Sequence, residues 1–111
     1  MRNFTKIEEL ILLAVHHLGE EAYLITIRDR IRAFTGRTYA VGTVYAPLSR
    51  LEAYGYLRAV KSRPPDSPHS KSIQYYRLTQ QGRAALGELY RQSERMWKGF
   101  EVFRSDREVE G

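Results

Sequence analysis

The clearest indication of the fold is the stretch from Gly42 to Leu57, GTVYAPLSRLEAYGYL. Val44, Leu48 and Leu51 recur at four- and three-residue spacing, which predicts the buried side of a helix that Gly55 ends. The opposite side combines short or polar side chains with one long cation: Gly42, Thr43, Ala46, Ser49, Arg50 and Ala53. Long charged side chains would suit a merely solvated helix better, whereas short ones with a few donors suit insertion into a DNA major groove. This pattern favours a recognition helix.

Two further helices are predicted on the N-terminal side of this stretch. Thr5-Lys6-Ile7-Glu8 has the spacing of a capping box, in which a hydroxyl and a carboxylate bind free N–H groups at a helix start. The apolar residues that follow have helical spacing and stop before Gly19: Ile7, Leu10, Ile11, Ala14 and Leu18. A second capping pattern, Thr26-Ile27-Arg28-Asp29, predicts the start of the next helix, which Gly36 closes. In that helix Ile27, Ile31 and Phe34 are expected to point inward and Arg28, Arg30 and Arg32 largely outward.

A hairpin and a last helix are predicted on the C-terminal side. Residues 57–61 alternate like a strand, residues 73–78 are rich in β-forming side chains, and RPPDSPHS at 63–70 cannot continue a ladder. Thr79 then caps a helix expected to run to about Phe103. The predicted fold is mainly α with a small β-hairpin: a winged helix-turn-helix of three helices plus a two-stranded wing (1–79), followed by a C-terminal dimerisation helix and tail (80–111).

The last helix carries an apolar seam. Its positions are spaced 3, 4, 3, 4 and 3, as in a heptad pattern: Leu86, Leu89, Ser93, Met96, Phe100 and Phe103. Tyr90 and Trp97 widen the seam. The winged module is expected to have its own core, so the seam favours contact with the helices of a second copy. The alternative is that it folds back on the first helix of the same chain.

Charge and composition narrow the function further. The 111 residues carry 18 Lys+Arg and 13 Asp+Glu, and the resulting +5 is unevenly placed. Residues 28–83 hold eleven basic and three acidic side chains, net +8, whereas residues 1–27 are net −2 and residues 84–111 net −1. A basic middle of this kind suits a polyanionic partner. Alternatively, the basic side chains of this region form a solvated surface that aids solubility.

Several classes of function have no support in the sequence. The absence of cysteine excludes a disulfide scaffold, a thiol nucleophile and Cys-based metal sites. His16 and His17 are adjacent and His69 is far away, so we expect no metal site. No catalytic motif, membrane span or signal-like start is present, so we expect a cytoplasmic non-enzyme that needs no cofactor.

Three motifs resemble the PadR-like transcriptional regulators. They are EELILLAV (Glu8 to Val15), GTVYAPLSRLEAYGYL (Gly42 to Leu57) and YYRLTQQGRAAL (Tyr75 to Leu86). The resemblance covers almost the whole chain and is to the short type, with a single C-terminal helix. It implies a bacterial or archaeal homodimeric regulator, in most cases a repressor. The recognition helix would enter the major groove, the wing would contact backbone or minor groove, and the last helix would pack on the partner's first and last helices.

The resemblance also implies roles for residues. DNA binding would fall to Gly42, Thr43, Tyr45, Ser49, Arg50, Arg63 and Lys71. The dimer interface would comprise Leu10, Leu86, Leu89, Tyr90, Met96, Trp97, Phe100 and Phe103. Two departures from the family pattern are present. Ala46 separates Tyr45 from Pro47, so the recognition helix is expected to begin near Thr43 or to bend there. Helix 2 of family members is often preceded by Tyr-Gly, whereas here Leu24 follows Tyr23, so the turn before the second helix departs from the family pattern.

The chief hypothesis is a homodimeric winged-helix repressor that binds a pseudo-palindromic operator in double-stranded DNA. One alternative is a winged-helix interaction module that docks an acidic protein partner without binding DNA. Another is a dimeric module that acts only as a small-molecule sensor or co-regulator. Trp97 on the seam is a candidate contact for a planar aromatic effector, and its alternative role is that of a simple interface anchor.

Overall fold

The computed structural model describes residues 3–62 and 72–100, which form four helices and a two-stranded sheet. The elements in chain order are α1 (Lys6–Leu18), a 3-10 turn (Gly19–Glu21), α2 (Leu24–Thr35), α3 (Val41–Ala53), β1 (Leu57–Ser62), β2 (Ile73–Leu78) and α4 (Gln80–Trp97). The strands are antiparallel, with Leu57 opposite Leu78 and Ser62 opposite Ile73. This arrangement confirms the predicted winged helix-turn-helix. In the described part of the chain, no helix has both the length and the apolar character needed to cross a membrane.

Helix α1 lies at the centre of the core. Its buried apolar side chains are Leu10, Ile11, Leu12, Ala14 and Val15. It packs against α2, α3, α4 and β2, so its wide apolar face is covered from several directions. The same core contains Ile27 and Ile31 of α2 and Val44, Leu48 and Leu51 of α3. The position of α1 therefore determines how the other helices are arranged.

The start of α1 is joined to α3 through Glu8. The predicted capping box is present: the Thr5 N–H donates to Glu8 Oε1 at 2.9 Å, and the Glu8 N–H donates to Thr5 Oγ1 at 3.3 Å. Glu8 is nevertheless only 1% exposed, and its Oε2 lies 3.7 Å from Nε of Arg50 on α3. A buried carboxylate requires such polar partners, because transfer of an ionised group out of water is costly.

Helix α2 begins earlier than the sequence pattern predicted. Its N-cap is Tyr23 and its first residue is Leu24, so Thr26 lies inside the first turn. The Thr26 hydroxyl oxygen accepts from the Tyr23 N–H at 2.9 Å, and the hydroxyl donates to the Glu21 carbonyl at 2.6 Å. A threonine can be the first or the last residue of a capping box, and the spacing between Thr26 and Asp29 did not show which of these positions Thr26 has.

Two side chains of α2 also differ from the prediction. Phe34 is exposed, and its ring lies edge-on against His17 with 5.4 Å between centroids. Arg28 is half-buried because its Nε donates to the Tyr39 carbonyl at 2.5 Å, which attaches α2 to the segment before α3. Helical periodicity places Phe34 near the inward face, but 40% of its surface stays exposed in the fold.

Helix α3 continues through Pro47. It begins at Val41, two residues before the predicted start near Thr43, and Ala40 is its N-cap. Pro47 is buried and supplies no N–H to the carbonyl of Thr43, which is an exposed residue. The helix therefore tolerates a proline at an interior position.

Helix α4 packs on the core through its first half. Ala85 and Leu89 are buried and Leu86 is half-buried, which agrees with the folding-back alternative for this half of the seam. The close approach requires Gly82, since a Cβ there would lie 2.1 Å from the carbonyl oxygen of Tyr56. One hydrophobic core therefore includes side chains from both sides of the predicted domain boundary at residue 79.

The far end of α4 is shorter than predicted. The helix ends at Trp97 and not near Phe103, and Gly99 follows with a φ of 93°, a value that side chains disfavour. Phe100 therefore lies beyond the end of α4, and the predicted heptad spacing does not reach it on this helix. Phe103 lies outside the described residues.

We expect Arg50→Ala to lower the free energy of unfolding by about 1–2 kcal/mol, because the buried Glu8 carboxylate loses the Arg50 guanidinium. In a Glu8→Gln background the same change should cost much less, since the amide oxygen still accepts from Thr5 and no buried charge remains. Urea unfolding of the four proteins measures the coupling energy. Arg32→Ala, an exposed control on α2, should change stability by less than about 0.5 kcal/mol. A coupling energy near zero would contradict the pairing.

Candidate nucleic-acid interface

The outward side of α3 is exposed where the helix begins. Gly42, Thr43, Tyr45 and Ala46 are open to solvent, and Tyr45 is 53% exposed. The other side of the helix is anchored by Val44, Leu48 and Leu51, which are fully buried. The short side chains predicted for a groove-facing surface therefore lie on a rigidly supported helix.

The backbone at the start of α3 is accessible. A Cβ placed on Gly42 would meet no heavy atom within 4 Å. The cap residue Ala40 makes no side-chain hydrogen bond to the first turn. The N–H groups and the positive dipole end of a helix attract phosphate, so this end can approach a nucleic-acid backbone closely.

The segment before α3 is held by an aromatic and two arginines. Tyr39 is half-buried against the core, and its carbonyl accepts from Arg28. The exposed Arg37 lies over the Tyr39 ring, with 5.2 Å from its guanidinium carbon to the ring centroid. Sequence reasoning did not single out Tyr39 or Arg37. The signal was an aromatic side chain two residues after an arginine in the turn that leads into the recognition helix.

Ser49 and Arg50 lie further from the exposed start. Ser49 is half-buried. Arg50 is 46% exposed, and its Nε faces Glu8 of α1, so part of its donor capacity is directed inward. Of the predicted DNA-binding set, Gly42, Thr43 and Tyr45 are all exposed in the first turns of α3, whereas Arg50 lies toward α1. Glu8 was not predicted as a partner, since a capping box shows the spacing but not the burial.

The hairpin contributes one described cation near its far end. Lys61 is exposed near the end of β1. Arg63 and Lys71, the predicted phosphate contacts of the wing, lie outside the described residues. In β2, Tyr76 is buried in the core and its hydroxyl oxygen accepts from Gln74 at 2.9 Å. Burial raises the pKa of the Tyr76 phenol, and the Gln74 hydrogen bond opposes that shift. Tyr76 therefore supports the hairpin and is not available to DNA.

The predicted dimer residues fall into two groups. Leu10 is 5% exposed inside the core, and Leu89 is buried beside it, so these two side chains have little surface left for a partner. The second group is strongly exposed along the end of α4 and just beyond it: Tyr90, Met96, Trp97 and Phe100. Leu13, which the sequence reasoning missed, is the α1 side chain that lines a cleft with Leu86 and Tyr90. We call Tyr90, Met96, Trp97 and Phe100 the aromatic end of α4.

The two histidines of α1 make ring contacts with aromatic side chains. His16 and His17 lie edge-on with 5.5 Å between centroids. Within residues 3–62 and 72–100, no three metal-ligating side chains come together. The two α1 histidines therefore contact each other, and His17 also contacts Phe34.

The comparisons with known proteins agree with this geometry. The chain is similar in structure to a PadR family transcription regulator from Clostridium difficile, with 21% identity, a TM-score of 0.67, and coverage of 96% of this chain and 100% of the other. A PadR family transcriptional regulator from Eggerthella lenta is 26% identical, with a TM-score of 0.63 and coverage of 85% and 80%. A third neighbour is BpsR of Bordetella bronchiseptica, at 19% identity, a TM-score of 0.62, and coverage of 97% and 80%.

The third neighbour was solved in a study of how 6-hydroxynicotinic acid regulates its DNA binding. A search of curated proteins finds no match. The sequence pattern of the transcriptional regulator PadR-like family, by contrast, matches residues 12–88, which include α2, α3, both strands and most of α1. That match spans more than half of the chain and includes the exposed helix described above. The chain belongs to the PadR-like family of transcriptional regulators.

Proposed function

We propose that the protein is a homodimeric, sequence-specific DNA-binding regulator that acts as a repressor at a pseudo-palindromic operator. The observation that carries this proposal is the exposed start of α3, where small side chains and an open backbone lie on a helix anchored by three buried apolar residues. A major groove admits such a helix, and its base edges are read by short donors and acceptors.

The charge distribution supports a nucleic acid as the partner. The net +8 of residues 28–83 covers α2, α3, the hairpin and the start of α4. Tyr45 would reach a phosphate with its hydroxyl, and Lys61, Arg63 and Lys71, which lie in the sequence between or at the end of the strands, would contact the DNA backbone. Such cations position a protein on DNA without reading sequence. Base reading would fall to Gly42, Thr43 and Ser49, with Arg50 contributing only the donors that Glu8 does not engage.

The aromatic end of α4 supports a homodimer. Met96 is 73% and Trp97 58% exposed, a degree of exposure that usually marks an interface for large apolar side chains. Leu13 and Leu86 extend this surface onto the side of α1. A two-fold dimer would place two copies of α3 about one DNA turn apart, at ~34–36 Å.

Gly42→Glu is expected to lower DNA affinity by at least about tenfold while leaving stability intact, because the new carboxylate meets open space in the fold and phosphate in the complex. Gln92→Glu on α4 adds the same charge away from α3 and should have little effect. Fluorescence anisotropy with an operator selected from a random DNA pool measures both.

The salt dependence of the same complex provides the second readout. Affinity should fall by roughly 10³–10⁵ between about 50 and 200 mM salt if six to ten phosphates are contacted. A flat salt response, or equal losses for the two glutamate variants, would contradict DNA binding through α3. A monomer that no DNA pool retains would favour the acidic-protein partner instead.

Trp97→Ala should weaken self-association by at least about tenfold, because a large exposed aromatic at the centre of an interface contributes more than its neighbours. Ile25→Ala removes an exposed apolar side chain from α2 and serves as the matched control. Sedimentation equilibrium over a range of concentrations gives the dissociation constants. The dimer proposal fails if the unmodified protein is monomeric throughout, or if both variants associate as tightly as it does.

We further propose that a planar aromatic compound acts as an effector beside Trp97. A cleft of about 470 Å³ lies between Tyr90 and Trp97 and contains Ser93 and Glu94. The Trp97 ring also lies edge-on to Phe100, with 5.0 Å between centroids. Aromatic walls of this kind suit a flat ligand. Release of DNA by such a compound would make the protein a sensor as well as a repressor.

The single tryptophan makes this effector proposal directly measurable. At least one compound in a broad library of planar aromatics should quench Trp97 fluorescence and weaken operator binding together. Trp97→Phe keeps an aromatic ring and should lose the fluorescence signal while retaining the DNA response. If no compound changes either quantity, Trp97 is an interface anchor and not a sensor.

A further inference from the structure

A second basic region lies at the base of the hairpin, away from α3. It is a cleft of about 330 Å³ between the C-terminal end of α1, the hairpin and the first turn of α4. Its ionisable lining residues are His16, Arg58, Arg77 and Arg83, and no carboxylate lines it. Three arginines from three different elements therefore line one concave space.

Two of these guanidinium groups are held in place by backbone carbonyls. Arg77 donates through Nη1 to the carbonyls of Gly19 at 3.4 Å and Tyr76 at 3.2 Å. Arg83 donates through Nη1 to the carbonyl of Leu78 at 3.2 Å. Each guanidinium has five N–H donors, so both retain donors that these bonds do not use. Two of the three arginines that line the cleft are therefore positioned by hydrogen bonds to the backbone.

The strand register adds an independent observation. Arg58 and Arg77 are directly opposite each other in the β1–β2 ladder. Such a pair has Cβ atoms about 4.5–5.5 Å apart, and like charges at that distance are destabilising. In the part of the chain that the structure describes, no carboxylate lies within ion-pair distance of Arg58, Arg77 or Arg83. The carbonyl of Gly19, at the C-terminal end of α1, accepts a hydrogen bond from Arg77.

We propose that this cleft binds a small phosphate group, either inorganic phosphate or the phosphate of a monoester. A dianion with oxygens in several directions matches three guanidinium forks better than a carboxylate does, because each fork can donate two parallel hydrogen bonds. Bound phosphate also offsets the repulsion between Arg58 and Arg77. The site is separate from the aromatic cleft beside Trp97 and from the candidate DNA surface.

Position and shape distinguish this site from a DNA contact. The Arg58–Arg77 pair is four residue steps from the Ser62–Ile73 pair at the far end of the ladder, roughly 13 Å at ~3.3 Å per residue. The cleft is bordered by α1 and α4 and not by α3. Its size suits a small molecule, whereas a duplex would contact an extended ridge.

An adjoining cleft provides a way to distinguish inorganic phosphate from a phosphate monoester as the ligand. It shares His16 and Arg83 with the basic cleft and continues along Leu13, Leu86 and Tyr90 as a mostly apolar groove of about 410 Å³. An organic group attached to a phosphate held by Arg83 would lie against this groove. Phenyl phosphate should therefore bind more tightly than inorganic phosphate if the ligand is an ester, and equally if it is the free ion.

Isothermal titration of the full chain at neutral pH and constant ionic strength tests the proposal. We expect saturable binding of one phosphate per chain, with acetate binding at least about tenfold more weakly. Arg58→Gln and Arg83→Gln should each weaken phosphate binding by about tenfold or more, since each removes a charge-assisted contact. Arg32→Gln removes the same charge from the exposed surface of α2 and should have no effect.

Three results would overturn the proposal. The first is an equal loss of phosphate affinity for Arg32→Gln and the two cleft variants, which would indicate unspecific attraction. The second is acetate binding as tightly as phosphate. The third is a reduction of DNA affinity by Arg58→Gln as large as that of Gly42→Glu, which would place the cleft on the DNA surface. Arg83→Lys, which keeps the charge but loses the fork, should also weaken phosphate binding.

Discussion

Glu8 is a carboxylate that the fold removes from water almost completely, and two parts of the protein meet at it. One oxygen closes the first turn of α1 through Thr5, and the other faces Arg50 of α3. A charge buried in this way restricts how α1 and α3 can move against each other, since separation would leave the carboxylate without these partners. Because α1 also packs against α2, α4 and β2, the arrangement of the whole winged module follows from this position.

Helix α4 links that module to the surface proposed for assembly. Its first half is held against the core by Leu89 and by the close approach of Gly82 to the Tyr56 carbonyl. Its second half leaves the core and exposes Met96 and Trp97. Since α1 packs against both α3 and α4, a change at the aromatic end has a packed route to the recognition helix.

The positive charge of the middle region serves two different surfaces in our interpretation. Outside the cleft, the described residues include exposed cations on separate segments, such as Arg32, Arg37 and Lys61, and charge spread over a surface suits an extended polyanion. At the base of the hairpin it converges from Arg58, Arg77 and Arg83 into a concave cleft, which suits a small dianion. The net charge of residues 28–83 does not separate these arrangements, because both use arginines from the same stretch of sequence.

Local patterns were sufficient to predict the order of helices and strands, the capping box at Thr5 and the buried face of α3, because periodicity and capping depend on neighbouring residues. They also identified the small outward face at Gly42 and Thr43 and the exposed Trp97. Tertiary packing alone determined the remainder. The burial of Glu8, the direction of Arg50, the exposure of Phe34, the place of Leu10 in the core and the basic cleft all depend on which distant element lies opposite each side chain. Sequence spacing contains no information about that neighbour, so only the assembled core could assign it.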